Sequence, residues 1–163
     1  MIRPLREHDY GAVTKIVNGC WQSLYAGFVN PALLDEAGCR QRAAQLEREF
    51  RLERLAEYVW EDAGRVLGLL SAGETVDRDR PGAFEIWRVY LAPEARGQGT
   101  GGLLLNYAEQ LARARGYWET LVWAFRENRS ALRFYEKHGY RADRTAYLKE
   151  PYRAWGVRLI KAL

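Results

Sequence analysis

The feature that most constrains this chain is a cluster of glycines between two apolar segments of different periodicity. The cluster reads Arg96-Gly97-Gln98-Gly99-Thr100-Gly101-Gly102. Before it, the segment FEIWRVYL is rich in β-branched and aromatic residues, which predicts a strand that Pro93 ends. After it, apolar residues recur at helical spacing from Thr100 to Arg115, and Gly116 is a typical helix stop. The order of strand, glycine turn and helix favours an α/β fold.

A glycine turn at the start of a helix is a geometry that binds phosphate. The first N–H groups of a helix have no partner within it and carry partial positive charge, and glycine lets phosphate oxygens approach the backbone. The Walker pattern is excluded because no Lys-Ser/Thr pair follows the glycines. Gly97, Gly99 and Gly102 match the dinucleotide fingerprint G-x-G-x-x-G, but Glu119 precedes its strand and no second mononucleotide-binding half follows. A nicotinamide dinucleotide site and a plain turn stay open as alternatives at this point.

The periodicity of apolar residues predicts the other elements of the chain. In chain order they are a helix over His8–Trp21, a helical region from Pro31 to about Arg51 with a break near Gly38, a hairpin of LAEYVW and VLGLLSAG around Glu61–Arg65, the strand WETLVWAF, a short helix over Ser130–His138, and two late strands around RTAYL and WGVRLIKAL. No linker or repeat divides the chain, so residues 1–163 are predicted to form one domain.

Composition excludes several classes of protein. Hydrophobic residues make up 48% and charged residues 28%, values typical of a globular domain. The net charge of +4 comes mainly from arginines that alternate with acids along the chain, which argues against a nucleic-acid partner. Cys20 and Cys39 lie far apart without metal-ligand spacing, so we expect reduced cysteines and no metal. Since no segment is typical of a signal peptide or a membrane span, we expect a cytoplasmic protein with no membrane partner.

Three features of the second half occur in the order and spacing of a known signature. They are the run Arg96-x-x-Gly99-x-Gly101 after a strand and a proline, the pair Asn128 and Tyr135 seven residues apart, and the ending Tyr-Glu-Lys-x-Gly-Tyr. Together they resemble the signature region of the GNAT superfamily of N-acetyltransferases, whose core pattern is Q/R-x-x-G-x-G/A. The resemblance implies an α/β fold in which a central mixed, mostly antiparallel sheet is flanked by helices, with splayed central strands that hold the cofactor.

The resemblance also implies a binding site for acetyl-CoA, the acyl donor. The residues that it places at the cofactor are Val89, Tyr90 and Leu91 of the strand, Arg96, Gly97, Gln98, Gly99, Thr100, Gly101 and Gly102 of the turn, and Asn128 and Tyr135. The strand would pair with the pantetheine arm, and the amides of the turn would bind the pyrophosphate. Asn128 would contact the cofactor, and it can also cap the helix that it precedes.

Two residues are candidates for proton transfer. Tyr135 matches the superfamily tyrosine that protonates the departing thiolate, although an aromatic ring packed under the sheet is the other interpretation. Glu85, near the start of the central strand, is the candidate general base, since related sequences often carry an acid there. Pairing of Glu85 with an arginine at the strand edge is the alternative. Some relatives place a glutamate at a position that is Trp123 here, so the base stays open.

The acceptor is predicted only by class. Trp21, Tyr25 and Phe28 resemble the acceptor-side region of bacterial members of the superfamily, and core packing is at least as good an interpretation of each. We expect direct attack by a primary amine of a small molecule or peptide in a ternary complex, and homodimers are common in the superfamily. A non-catalytic acyl-CoA-binding sensor is the competing function. His138 is interpreted as a cation suited to the C-terminal end of its helix.

Overall fold

A seven-stranded sheet organises the computed structural model, which describes all 163 residues. The elements are β1 (Ile2–Pro4), α1 (Tyr10–Leu24), α2 (Glu36–Arg51), β2 (Ala56–Asp62), β3 (Arg65–Glu74), β4 (Ala83–Leu91), α3 (Thr100–Ala114), β5 (Glu119–Phe125), α4 (Arg129–Lys137), β6 (Arg141–Leu148) and β7 (Ala154–Ala162). Single turns of 3-10 helix precede α1, α2 and α3. None of the helices combines the length and apolar character that crossing a bilayer requires.

The strands lie in the order β1-β2-β3-β4-β5-β7-β6. Every neighbouring pair is antiparallel except β4 and β5, which run parallel. β4 pairs with β5 only from Ala83 to Glu85, opposite Glu119 to Leu121. Beyond Glu85 the two strands separate, so the middle of the sheet contains a wedge-shaped cleft. This confirms the predicted mixed, mostly antiparallel sheet with splayed central strands.

β4 contains a bulge at Trp87. Consecutive residues of β3 pair with Arg88 and Ile86, so Trp87 has no partner on that strand. A bulge shifts the alternation of side chains between the two faces of a sheet. Glu85 and Arg88 consequently point to the same face, where the Arg88 guanidinium donates to the carboxylate of Glu49 on α2.

Helices cover both faces of the sheet, and a separate core lies beneath each pair. We call the face covered by α1 and α2 the front face; its buried apolar residues are Val13, Val17, Trp21, Tyr25, Val29, Leu46, Phe50, Val59, Leu69 and Ala154. We call the face covered by α3 and α4 the back face; its buried apolar residues are Leu70, Ile86, Leu104, Leu105, Ala108, Val122, Tyr135, Tyr140, Val157 and Leu159. Beyond Glu85, where β4 and β5 do not pair, no strand hydrogen bonds lie between the two faces.

The predicted helices and strands are present, but the break near Gly38 is wrong. The chain breaks before Glu36, where the Asp35 side chain accepts a hydrogen bond from the Gly38 N–H at 2.8 Å and caps α2. Gly38 lies inside the first turn because the preceding turn approaches it closely: a Cβ there would be 2.9 Å from Leu33 Cα. Strand β1 was not predicted, since three residues are too few to show alternation.

Candidate active site

The four glycines of the turn divide into two pairs. Gly97 and Gly99 have φ angles of 72° and 81°, in the left-handed region, and a Cβ on either would meet nothing within 4 Å. Gly101 and Gly102 are helical and are covered by α4, because a Cβ on Gly101 would lie 3.2 Å from the Phe134 ring. The first pair therefore shapes an open turn, and the second pair lets α4 approach α3.

The start of α3 presents free backbone donors. The first intrahelical bond is the one that the Leu103 N–H donates to the Gly99 carbonyl at 3.2 Å. The N–H groups of Thr100, Gly101 and Gly102 consequently have no partner in the chain. Three N–H groups at a helix N-terminus, beside a turn with open space around it, suit the oxygens of a pyrophosphate.

Side chains of the turn hold it against the rest of the fold. Arg96 donates through Nε to the Leu91 carbonyl at 3.0 Å and through Nη2 to the Cys20 sulfur at 3.2 Å. Gln98 donates to the Glu94 carbonyl at 2.7 Å. Burial raises the pKa of the Cys20 thiol, which keeps it protonated. Within the turn, the side chains of Arg96 and Gln98 therefore brace the backbone, and the backbone is what faces the open space.

The end of β4 offers a free edge to the cleft. Val89, Tyr90 and Leu91 pair with β3 on one side, and on the other side β5 has already diverged. A strand with one unpaired edge can accept an extended ligand arm by backbone hydrogen bonding. The Tyr90 side chain lies on the front face, where its hydroxyl accepts a hydrogen bond from the Trp21 indole at 3.1 Å.

Tyr135 lies on α4 beneath the cleft. Only 6% of its surface is exposed, and its ring packs edge-on against Phe134 and Tyr140. Burial, and after it the neighbouring Tyr90 phenol, holds the pKa of Tyr135 well above its usual value. The phenol is therefore protonated at physiological pH and is a hydrogen donor.

Asn128 caps α4 with the oxygen of its side-chain amide. Its side-chain oxygen accepts a hydrogen bond from the Ala131 N–H at 3.2 Å. The amide nitrogen takes no part in the cap and keeps its two donors. The capping interpretation of Asn128 holds, and the geometry leaves the residue able to donate to a ligand as well.

Glu85 is a buried acid at the point where β4 and β5 diverge. Only 5% of its surface is exposed, and one carboxylate oxygen accepts a hydrogen bond from the Thr75 hydroxyl at 2.8 Å. Burial raises the pKa of Glu85 to about 7, against the hydrogen bond from Thr75, which lowers it. No arginine forms an ion pair with Glu85, so the strand-edge ion pair considered above does not form.

A charged segment after β3 positions the hydroxyl that binds Glu85. The Asp77 N–H donates to Thr75 Oγ1 at 3.1 Å. The Asp77 carboxylate accepts from the Trp123 indole at 2.9 Å and from the buried Arg158 guanidinium at 2.8 Å. Sequence reasoning treated this segment as a polar loop and missed Thr75, Asp77 and Arg158. The sequence feature that could have indicated these residues is the alternation of acids and arginines in TVDRDR.

A second buried acid, Glu57, lies on the same face and was also missed. The Ser71 hydroxyl donates to Glu57, and burial raises the pKa of Glu57 to about 7. The Arg88 Nη1 atom lies 3.8 Å from a Glu57 oxygen and is buried without a hydrogen-bond partner. No motif marks Glu57, because its position on β2 is set by the register with β3.

The three predicted acceptor-side aromatics come together on the front face. Trp21 and Tyr25 are 9% and 8% exposed, and Phe28 is half-buried. All three pack edge-on or tilted around Phe125 of β5, at centroid distances of 4.9–5.8 Å. The Asn30 N–H donates to the Tyr152 carbonyl at 2.9 Å, which ties the α1–α2 loop to the β6–β7 loop. Trp21 and Tyr25 are therefore part of the core, and Phe28 lies nearer to solvent.

No cluster of three or more His, Cys, Asp or Glu residues has the geometry of a metal site. Cys20 and Cys39 are free. The candidate site accordingly consists of the glycine turn, the cleft and the groups around Glu85 and Tyr135.

Comparisons with known proteins identify the family of this chain. Residues 20–140 match the Acetyltransferase (GNAT) family. A probable N-acetyltransferase of Mycobacterium tuberculosis is 26% identical over 152 residues, which cover 92% of this chain and 84% of that protein. A spermidine N(1)-acetyltransferase of Thermoplasma acidophilum is 23% identical over 153 residues, covering 88% and 89%. The structure of a ribosomal-protein-alanine N-acetyltransferase from Brucella melitensis matches with a TM-score of 0.75 at 25% identity, covering 100% and 99%. The chain therefore belongs to the GNAT family of acetyltransferases and is an acyltransferase.

Proposed function

We propose that the protein transfers the acetyl group of acetyl-CoA, the acyl donor of its family, to a primary amine by direct attack in a ternary complex. The observation that carries the proposal is the divergence of β4 and β5, with the buried Glu85 at its start and the open glycine turn after the unpaired end of β4. The free amides at the start of α3 would bind the pyrophosphate, and the free edge of β4 would pair with the pantetheine arm.

Glu85 would remove the proton from the acceptor, directly or through a water. An alkyl ammonium has a pKa of about 10.4, so roughly one molecule in a thousand is neutral at pH 7. A base whose pKa lies near the working pH is the most effective compromise between being deprotonated and being basic. With its pKa raised to about 7 by burial, Glu85 meets that condition.

The bond changes of the transfer assign a role to each group. The amine nitrogen attacks the thioester carbonyl carbon, and a backbone N–H of β4 would stabilise the negative charge on the oxygen. The carbon–sulfur bond then breaks, and the thiolate takes a proton from the Tyr135 hydroxyl. The nitrogen loses its second proton, which returns through solvent to the Tyr135 phenolate, and Glu85 releases the first proton to solvent. Because burial raises the pKa of Tyr135, the phenol carries that proton at the start. The products are an acetylated amine and CoA, and no enzyme group becomes acylated.

For this protein we propose a primary amine as the acceptor. Its relatives are named for different acceptors. The protein of Thermoplasma acidophilum is named for spermidine and that of Brucella melitensis for an alanine of a ribosomal protein. For this chain we propose that Trp21, Tyr25 and Phe28 form one wall of the acceptor site. Trp21 and Tyr25 would hold the wall in place, and Phe28, the more exposed of the three, would contact the acceptor.

Release of CoA thiol from acetyl-CoA, measured across a panel of amines, tests the proposal. The expected result is steady thiol release with at least one primary amine and none without an amine. Binding of acetyl-CoA without thiol release for any amine would instead support a non-catalytic sensor. A burst of thiol equal to the enzyme concentration would contradict direct transfer. Thermal stabilisation by NAD and not by acetyl-CoA would favour the dinucleotide alternative.

A further inference from the structure

His138 ends α4 with one ring nitrogen committed to the backbone. Its Nδ1 atom lies 2.8 Å from the Phe134 carbonyl oxygen. A carbonyl oxygen only accepts hydrogen bonds, so Nδ1 carries a proton in this contact. The other nitrogen, Nε2, is then an acceptor in the neutral ring and becomes a donor only in the imidazolium ion.

The free nitrogen of His138 lies against the first turn of α3. A Cβ on Gly102 would be 2.9 Å from Nε2 and 3.7 Å from Cε1. Gly102 is also one of the three residues whose N–H groups have no partner in the chain. The imidazole therefore borders the group of amides that suits a pyrophosphate.

The acids of the back face and of the neighbouring elements form no ion pair with His138. On the back face, the carboxylate of Glu109 is occupied by Lys161, whose Nζ lies 2.9 Å from both oxygens. No carboxylate forms an ion pair with His138. The charged residues within five positions of His138 in the sequence are Arg133, Glu136, Lys137, Arg141 and Asp143, and Arg80 and Arg158 occupy the Asp143 carboxylate. In the free protein the imidazolium therefore has no anionic partner, whereas a pyrophosphate at α3 would supply one.

We propose that His138 is a coenzyme-binding residue whose imidazolium Nε2–H donates to the pyrophosphate at the first turn of α3. The proposal rests on the proposed function, because it requires the coenzyme at the glycine turn. Binding and protonation are then linked: the ligand favours the imidazolium, and the imidazolium favours the ligand by the same factor. Coenzyme affinity therefore increases as pH falls from 8 to 6.

The two histidines of the chain make this linkage directly observable by NMR. His8 is an internal control, since its side chain is 69% exposed and lies beside Asp9, near the N-terminus. The Cε1–H resonances of both rings are followed against pH, with and without 3′-dephospho-CoA. That ligand keeps the pyrophosphate but lacks the 3′-phosphate, whose own proton would titrate at about pH 6.

The expected result is that saturating 3′-dephospho-CoA moves the titration midpoint of the His138 resonance up by about one pH unit, with the His8 midpoint unchanged. An unchanged His138 midpoint at saturation would overturn the proposal. A midpoint that moves with CoA but not with 3′-dephospho-CoA would also overturn it, because the imidazolium would then contact the 3′-phosphate and not the pyrophosphate.

Calorimetric titration gives an independent measurement. From pH 8 to pH 6 the Kd for 3′-dephospho-CoA should decrease about fivefold in the wild type and in His8→Gln, and should stay constant in His138→Gln. An unchanged pH slope in His138→Gln would exclude the role. Failure of the proposed coenzyme site looks different, since the wild type would then bind no coenzyme at any pH. Coenzyme binding without thiol release for any amine would contradict the proposed transfer reaction and leave the role of His138 in place.

Discussion

The two sides of the cleft differ in the groups that form them: backbone groups on one side and aromatic side chains on the other. On the coenzyme side the backbone faces the open space: the N–H groups of Thr100 and its neighbours are free, and nothing lies within 4 Å of a Cβ on Gly97 or Gly99. On the side that we propose for the acceptor, aromatic rings fill the space around Phe125. A backbone site depends on a short local pattern and is shared across a family. A site made of packed side chains depends on loops far apart in the chain, so it diverges between relatives.

The largest effect is expected on the coenzyme side, from Gly99→Glu. A carboxylate would enter the proposed pyrophosphate site, at a residue whose φ of 81° already disfavours a side chain. We expect the Kd for CoA to weaken by about a hundredfold or more, measured by calorimetry. Gly116→Glu is the matched control, because Gly116 has a φ of 83° and equal free space away from the turn. An equal loss of CoA affinity in both variants would attribute the effect to backbone strain and not to the charge at the turn.

Next is Glu85→Gln, which tests the junction between the two sides. We expect kcat to fall by about a hundredfold at pH 7 with the CoA affinity unchanged. In the wild type, kcat/KM should fall as pH decreases below about 7, because the base becomes protonated, and the variant should lose that dependence. Glu57→Gln is the control, since it removes the other front-face acid whose pKa is about 7. If only Glu57→Gln abolished the pH dependence, the base would be Glu57.

Tyr135→Phe removes one hydroxyl and should cost less. A thiol of the cysteine type has a pKa of about 8.5, so its thiolate leaves tolerably without an acid, and we expect kcat to fall about tenfold. The ring and its packing remain, so the melting temperature should change little. Single-turnover thiol release measures the step. A rate equal to that of the wild type would leave Tyr135 with a packing role alone.

The smallest effect is expected on the acceptor side, from Phe28→Ala. Since Phe28 is half-buried and the relatives act on different amines, we expect KM for the best amine to rise about fivefold, with KM for acetyl-CoA unchanged. Leu24→Ala on α1 is the control, because Leu24 is exposed and outside the aromatic group. A rise in KM for acetyl-CoA alone would contradict the proposed contact of Phe28 with the acceptor. It would also weaken the contrast between a backbone coenzyme site and a side-chain acceptor site.

Local chemistry explains which parts of the molecule were predictable from sequence. The strand, glycine turn and helix around Gly99 are contiguous, so periodicity and turn chemistry indicate them directly. The environment of Glu85 depends on Thr75 and Arg158, which the fold brings together from a loop and the last strand. Glu57 becomes a buried acid through the register of β2 with β3. Such contacts leave no short pattern in a single sequence.

The short pairing of β4 with β5 has a consequence for the tendency of the protein to self-associate. Past Glu85 the sheet carries two interior strand edges whose backbone groups lack strand partners. Unpaired edges are where strands of other molecules add. A coenzyme arm between those edges would form backbone hydrogen bonds in place of the strand pairing that is absent there. Storage without coenzyme should therefore favour self-association, and the ligand should suppress it in light-scattering measurements.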